Sequence, residues 1–582
     1  MSFLGVESSL TGRRWIGPTL EQDRAAQAIA DATGFSLPLC TILARRRIPA
    51  EEAAAYLSPA LRDLLPNPRS LRDTERAAER LVTAVAKGER IAIFADYDVD
   101  GGASAALLIH WLRELGQDAT LYVPDRIDEG YGPNDAAMRQ LAKDHDIILC
   151  VDCGTLSHDP IAAAAGTDVV VIDHHLAGET LPSAFAVVNP NRQDEDGLLG
   201  HLCAAAVVFL VLVEANRQLR EADHKPPDLL GLLDLVALAT VADVAALKGV
   251  NRAFVRQGLT VMARRQRLGL VALSDLTNLD GPPNAYHLGY VFGPRINAGG
   301  RIGAADLGAR LLSTADPAEA GALAERLDQL NSERREIEAQ VSAEALAQAD
   351  ARGREAPLVW AIGDGWHPGV VGIVASRLKE ATNRPAIVIG FNGEEGKGSG
   401  RSVAGIDLGA AIQTLTAEGL LEKGGGHRMA AGLTVSRDRV TQAMDRLSEL
   451  LDRQGAGLLG PSDLRLDGAL APPAATLDLI HDLDKAGPFG AGAPSPRFAF
   501  PGLQISFAKE VGDGHLKLTA RASDGSQVDA ISFGAFSGPL GPGLLAHDGA
   551  SFHLAGRLEI NRWNDRERVQ LKLEDAAHSH AP

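Results

Sequence analysis

The segment RIAIFADYDVDGGASAALLIHWLREL, residues 90–115, changes character twice within a few residues. Ile91 to Phe94 form a short apolar run of the kind that makes a strand buried on both faces, and Ala103 to Leu115 have the apolar density of a covered helix. Between them stand Asp96, Asp98 and Asp100. Ligands of an open α/β sheet gather at the carboxyl ends of its strands, and neighbouring carboxylates repel one another unless a cation neutralises them. The cluster therefore reads as a divalent-metal site. The letters DYDVDG also open a calcium-loop pattern, but its twelfth position needs a bidentate Glu and holds Leu107, and a strand precedes it. A solvated acidic turn capping the next helix is the plainer alternative, and it suits one Asp better than three.

From Leu71 to about Gly308 strands alternate with helices, the pattern of a parallel sheet. Further strands are expected at Ala119 to Val123, Asp146 to Val151 and Asp168 to Ile172. Two of these end on chemistry: Asp152 follows ILCV, and Asp173, His174 and His175 follow VVVI. Parallel strands bring such ends together. LLGLLDLVALA, from Leu229 to Ala239, is apolar nearly all round like a buried helix, and it delivers Asp243. A pair of divalent metals needs several Asp and at least one His, and Asp98, Asp100, Asp152, His174 and Asp243 supply that set.

At 582 residues the chain is too long for one core, and 45% hydrophobic residues support folded domains. The sequence shows neither a bilayer-spanning apolar run nor a signal-peptide core, so a cytoplasmic protein with no membrane partner is expected. Four cysteines argue against a disulfide framework; Cys150 and Cys153 form one CxxC without the second pair a zinc site requires and read as core residues. The net charge of −18 weakens long-range attraction to nucleic acid but does not exclude it, because a groove needs only local cations.

The chain up to residue 70 reads as proline-broken helices forming an accessory segment, with Arg45, Arg46 and Arg47 as a solvated face. Residues 311–350, around LNSERREIEAQ, read as a long helix, and a second α/β unit follows at 351–456. Its glycine-rich stretches GDGWH, GKGSGRS and GGGH read as loops able to approach an anion, with Ser399, Arg401 and His427 as donors. GKGSGRS is not a P-loop, since Phe391 and Gly398 break that pattern. From 461 to 578 short alternating strands suit a small barrel, where Lys517, Arg521, Arg557, Arg562 and Trp563 mix cations with an aromatic.

The blocks DYDVDG, VDCGT, DHH and TVADV, in this order, resemble the four motifs of the DHH phosphoesterase family, and GPRINAGGRIG resembles its RecJ single-strand-specific exonuclease branch. WHPGVVGIVASRL, GSGRS and GGHRMAAG extend the resemblance over most of the chain. It implies an α/β fold: a parallel-sheet DHH domain at 71–310, a connecting helix, a smaller α/β DHH-associated domain and a C-terminal OB-like barrel. It implies two divalent ions, Mn2+ or Mg2+, on Asp98, Asp100, Asp152, His174 and Asp243. Asp152, His175 and Asp96 would be catalytic, with Asp96 at a position where relatives often carry His. Substrate contacts are expected at Arg126, Tyr131, Arg295, Asn297, Arg301, Ser399, Arg401 and His427. The implied activity is 5′→3′ hydrolysis of single-stranded DNA in repair and recombination, by a monomer, with a helicase and a single-strand-binding protein as partners. A phosphodiesterase of short oligonucleotides or cyclic dinucleotides, and an inactive strand-binding relative, remain the alternatives.

Overall fold

The structure, a computed structural model, describes residues 2–579 except 127, 280, 459, 461, 564 and 565. The chain divides into two compact units, one of Leu61–Leu459 and one that joins Met1–Ala60 to Gly460–Pro582.

The larger unit holds two sheets. In the first, β1 (Ile91–Ala95), β2 (Ala119–Tyr122), β3 (Ile147–Val151), β4 (Asp168–Ile172) and β5 (Ala186–Val188) run parallel in the order β2-β1-β3-β4-β5. Strands β1 and β3 are buried along their whole length. That is why they read as continuous apolar runs: helices cover both faces of such a sheet. One layer packs Met138, Leu141 and Ile161 on Phe94, Ile148 and Val171. The other holds helices α1 (Val99–Glu114) and α2 (Ala204–Glu221), both mostly buried. Helix α3 (Leu233–Ala242) is buried nearly throughout and ends on Asp243. Helix α1 begins at Val99, not at Ala103, because the Asp98 carboxylate accepts hydrogen bonds from the Asp100 and Gly101 N–H groups and starts the helix four residues early.

After α4 (Gly293–Ile302), helix α5 (Pro317–Arg352) leads to the second sheet. Strands β6 (Val359–Asp364), β7 (Ala386–Asn392), β8 (Glu395–Arg401), β9 (Lys423–His427) and β10 (Ala430–Ser436) lie in the order β9-β10-β8-β7-β6, and helix α6 (Pro368–Thr382) covers one face. Two glycine-rich stretches expected as loops, GKGSGRS and GGGH, are therefore strands. In β8, Gly396, Gly398 and Gly400 face a core too close for a side chain: Cβ atoms there would stand 2.6–2.9 Å from Ile387, Ile389 or Phe391. The alternate residues Lys397, Ser399 and Arg401 point the other way.

In the smaller unit β11 (Phe498–Val511), β12 (His515–Arg521), β13 (Gln527–Ser532), β14 (Ser551–Trp563) and β15 (Arg566–His578) form a barrel that closes by pairing β14 with β11. The N-terminal helices Leu20–Thr33 and Leu37–Arg45 share its core through Ile29, Leu39 and Leu43. Trp15–Ile16 pairs with Leu464–Arg465, and the buried Trp15 indole donates to Asp575 at 2.9 Å. The N-terminal segment thus ends at residue 60 rather than 70. The arginine run is not merely a solvated face: Arg45 pairs with Asp467 at 3.2 Å, and Arg46 donates to Tyr56 and to the Ala486 and Pro494 carbonyls. Two guanidinium groups so used fasten the first sixty residues to the last part of the chain.

Candidate metal centre and nucleotide cleft

The carboxyl ends of β1, β3 and β4 and the end of α3 bring five of the anticipated residues together. His174 Nε2 lies 3.4 Å from an Asp152 oxygen and 3.7 Å from Asp100, and His174 Nδ1 lies 3.9 Å from Asp243. Asp96, Asp98 and Asp152 form an adjoining group with donor atoms within 4.8 Å of one another. Asp96, Asp100 and Asp152 are almost fully buried. Burial and mutual repulsion push the Asp96, Asp100, Asp152 and Asp243 carboxyls up from the ordinary carboxylate range.

Three local features prepare this cluster for cations. His174 Nδ1 stands 3.1 Å from the Leu202 carbonyl and donates to it, which turns Nε2 toward two carboxylates. One buried oxygen each of Asp96 and Asp152 has no hydrogen-bond partner. Asp152 also sits at φ 58°, a left-handed conformation that aims its side chain off the end of β3. Acceptors facing acceptors, with orphaned oxygens, fit oxygen-seeking divalent cations and fit a salt-bridge network poorly. Asp100 has a second task, since its oxygens accept from Ala204 and Ala205 N–H at 2.7 and 2.8 Å and cap α2.

His175 faces the open side and is held differently. Its Nδ1 lies 2.7 Å from buried Asp173, and its Nε2 lies 3.1 Å from the Tyr131 hydroxyl. Burial pushes the imidazole down, but the Asp173 hydrogen bond and charge outweigh it and hold the group up at about 9. Asp173 also accepts from the His174 and Thr155 backbone N–H groups, and with its His175 contact these keep its carboxyl low despite burial. Asn189 and Asn191 donate to the His175 and His174 carbonyls at 2.8 and 2.5 Å. Sequence reasoning gave Asp173 and the two asparagines no role; the run NPNR directly after β5, two amides around a proline, is the signal that was available.

A cavity of about 400 Å3 opens between the two sheets of the larger unit, lined by Arg126, Arg301, Lys397, Ser399 and Arg401. None of these four cations has an ion-pair partner among the described residues. Burial first, then the charge of Arg126, pushes the Arg301 and Arg401 guanidinium groups down, and Arg301 adds to the effect on Arg401. Unpaired cations crowded together in a cleft call for an anion. Arg126 also lies over the Tyr97 ring, 5.4 Å from its centroid. Gly369 permits the close approach: a Cβ there would stand 2.4 Å from the Arg301 carbonyl.

Of the other anticipated contacts, Asn297 accepts from Val99 N–H at 2.9 Å and braces the start of α1. His427 is exposed at the end of β9, next to Gly426 of the cavity wall. Arg295 is not in the cleft: it pairs with Asp328 at 2.8 Å and donates to the Val291 carbonyl, because its place on α4 turns it toward α5. Lys397, which the sequence left without a role, is in the cleft. In the smaller unit Arg557 and Arg562 pair with Glu574 and Glu567, while Lys517 lines an open groove with Arg566 and Arg568. The Trp563 side chain lies outside the described residues.

Comparison with known proteins gives matches along the chain. Family models match for the DHH family N-terminal domain over residues 90–240, the DHHA1 domain over 355–453 and the RecJ OB domain over 466–575. The single-stranded-DNA-specific exonuclease RecJ of Dickeya dadantii is 39% identical over 546 residues, covering 89% of this chain and 92% of the relative. The crystal structure of RecJ from Thermus thermophilus in complex with Mn2+ has a TM-score of 0.80 at 30% identity, covering 98% of this chain and 79% of that one. The Mg2+ complex of the same protein has a TM-score of 0.74 at 29% identity, with 97% and 79% covered.

Proposed function

The chain belongs to the RecJ family of single-stranded-DNA-specific exonucleases, and from that premise we propose that it is a divalent-metal-dependent exonuclease removing nucleotides from the 5′ end of single-stranded DNA. The observation that carries the reading is the pairing of two opposite sites in one unit: a buried carboxylate cluster with orphaned oxygens and a cleft of unpaired cations.

In this reading Asp98, Asp100, Asp152, His174 and Asp243 hold Mn2+ or Mg2+, two ions in all, and Asp96 completes the acidic wall. When bound, such cations neutralise phosphate charge and polarise the bond to be broken. The chain's own residues do the rest. Arg126, Ser399 and Arg401, with Lys397 and Arg301 beside them, take the 5′-terminal phosphate. A terminal phosphate carries close to two charges and an internal diester one, so a cluster of unpaired cations favours the end of the strand and sets the direction of travel. His175, its Nδ1 proton and ring orientation fixed by Asp173, turns its Nε2 proton to the scissile phosphate in place of the Tyr131 hydroxyl that Nε2 meets at 3.1 Å. Asn297 keeps α1, and with it Asp98 and Asp100, in register with α4. The barrel offers cations of its own to strand phosphates, Lys517 with Arg566 and Arg568.

No helix among the described residues is long and apolar enough to cross a membrane. An enzyme confined to unpaired strands depends on whatever exposes them. A helicase and a single-strand-binding protein, acting with it in cytoplasmic DNA repair and recombination, are the partner classes that fit. The test is release of mononucleotides from an oligonucleotide, single-stranded or blunt duplex, with Mn2+, Mg2+ or EDTA. Metal-dependent release confined to the single strand is expected; equal digestion of the duplex would overturn the proposal.

A further inference from the structure

Beside the metal cluster, a π-helical turn at His287–Phe292 presents an aromatic pair that nothing above uses. Tyr286 and Tyr290 are stacked on each other, ring centroids 5.1 Å apart and planes inclined by 24°, and they are 58% and 72% exposed. The chain has only six tyrosines, so two side by side in water are a costly display. Turns of π geometry concentrate at functional sites, because they displace one residue from the helical face.

The turn lies against the end of the helix that delivers Asp243. A Cβ on Gly289 would stand 3.3 Å from Val241, and one on Gly293 would stand 3.4 Å from Ala242. Beyond Asp243, Val244 is 71% exposed. At the foot of the turn a cavity of about 160 Å3 is lined by Gly289, Gly293, Asn297, Arg301 and Arg334. Arg334 is buried; it pairs with Glu338 at 2.5 Å and donates to Asn331, and its Nε alone has no hydrogen-bond partner, whereas Arg301 has no ion-pair partner among the described residues. An aromatic face beside an unpaired buried cation suits an unpaired nucleotide: the base stacks while its phosphate is drawn to the Arg301 guanidinium.

We propose that Tyr286 and Tyr290 form a base-stacking subsite for one unpaired nucleobase of the strand threaded past the metal cluster. The subsite rests on the exonuclease reading and adds to it. A base within a duplex has both faces covered by its neighbours, so the platform favours single strands without reading their sequence.

The test walks one abasic residue along an otherwise uniform oligonucleotide and measures steady-state digestion by the full chain. In the wild type an abasic residue at one position should raise KM on the order of 10-fold, with kcat nearly unchanged. The Tyr286→Ala/Tyr290→Ala variant should show that rise on intact substrate and no longer respond to the abasic position, and Tyr286→Phe/Tyr290→Phe should restore the wild-type profile. Both side chains are exposed, so the core is untouched. A double-alanine variant with wild-type KM and an unaltered abasic profile would overturn the subsite while leaving the exonuclease standing. Failure of the wild type to digest single strands would overturn both.

Discussion

Replacing Asp152 by Asn should stabilise the metal-free protein while removing its activity. Asp152 is 2% exposed, and its charge is opposed by Asp100, Asp98, Asp96 and Asp173. Asn keeps the shape and the hydrogen-bonding capacity but not the charge. It also tolerates the left-handed backbone at φ 58°, where Ala would pay roughly 1 kcal/mol or more. Relief of one buried like-charge contact is worth about 1–3 kcal/mol by the scale of uncompensated buried polar groups. For a unit spanning Leu61–Leu459, with an unfolding entropy of ~2.1 cal/mol/K per residue, that raises Tm in EDTA by ~1–4 °C, about 1 °C per kcal/mol. Metal should reverse the order. A saturating cation at about 100 times its Kd adds ~2.7 kcal/mol to the wild type, and the variant should forfeit most of that. Asp152 would be one of the residues holding the cations, and its loss should remove about 4 kcal/mol of transition-state stabilisation, on the order of 1000-fold in kcat. The assay is a thermal melt in EDTA and across a Mn2+ titration, beside oligonucleotide digestion. An Asp152→Asn protein that is less stable than wild type in EDTA, or that keeps near wild-type turnover, would refute the reasoning.

Arg401→Ala should narrow the preference for 5′-phosphate over 5′-hydroxyl ends about 10-fold and leave Mn2+ affinity alone, read from paired oligonucleotides and metal titration. Asp173→Asn should lower activity on the order of 10- to 100-fold, and loss of the short contact to His175 should appear as a changed imidazole resonance by NMR. Gly369→Ala places a methyl group against the Arg301 carbonyl and should raise KM on the order of 10-fold or more by spreading the cleft. Burial pushes His110 down to about 4, below its unfolded value near 6.5. The unfolded chain then binds the extra proton, so this contribution is intact above pH 6.5 and is lost as pH falls toward 4. It amounts to roughly 2 kcal/mol after allowance for partial solvent access, and denaturant titrations of wild type and His110→Gln should show the slope flattened in the variant.

The first lobe was legible because its strands are buried on both faces and each apolar run ends abruptly on Asp or His. That Asp and His side chains would cluster there followed from counting those ends. The helix start was misread by four residues, since the carboxylate of Asp98 serves both as cap and as site. In the second lobe the alternation of Gly with Lys397, Ser399 and Arg401 was a period-2 signal, but glycine suggests turns more loudly than it suggests a flat strand under close packing. Asp173 went unassigned because its partner, His175, is two residues away and their contact depends on the turn after β4. Arg295 was drawn to the site by its motif, whereas its helix face turns it to Asp328. The joining of residues 1–60 to 460–582 rests on contacts four hundred residues apart, such as Arg46 to the Ala486 carbonyl, which no local pattern contains.

The order of nucleotide release tests the central claim most directly. A single-stranded oligonucleotide with a 5′-phosphate and distinguishable labels at its two ends, digested with Mn2+, should lose the 5′ label first as mononucleotide. A bulky 5′ block should stop digestion, while a 3′ block leaves the rate unchanged. Release of the 3′ label first, or digestion indifferent to the 5′ block, would contradict a terminal phosphate held by Arg126, Ser399 and Arg401 beside the carboxylate cluster.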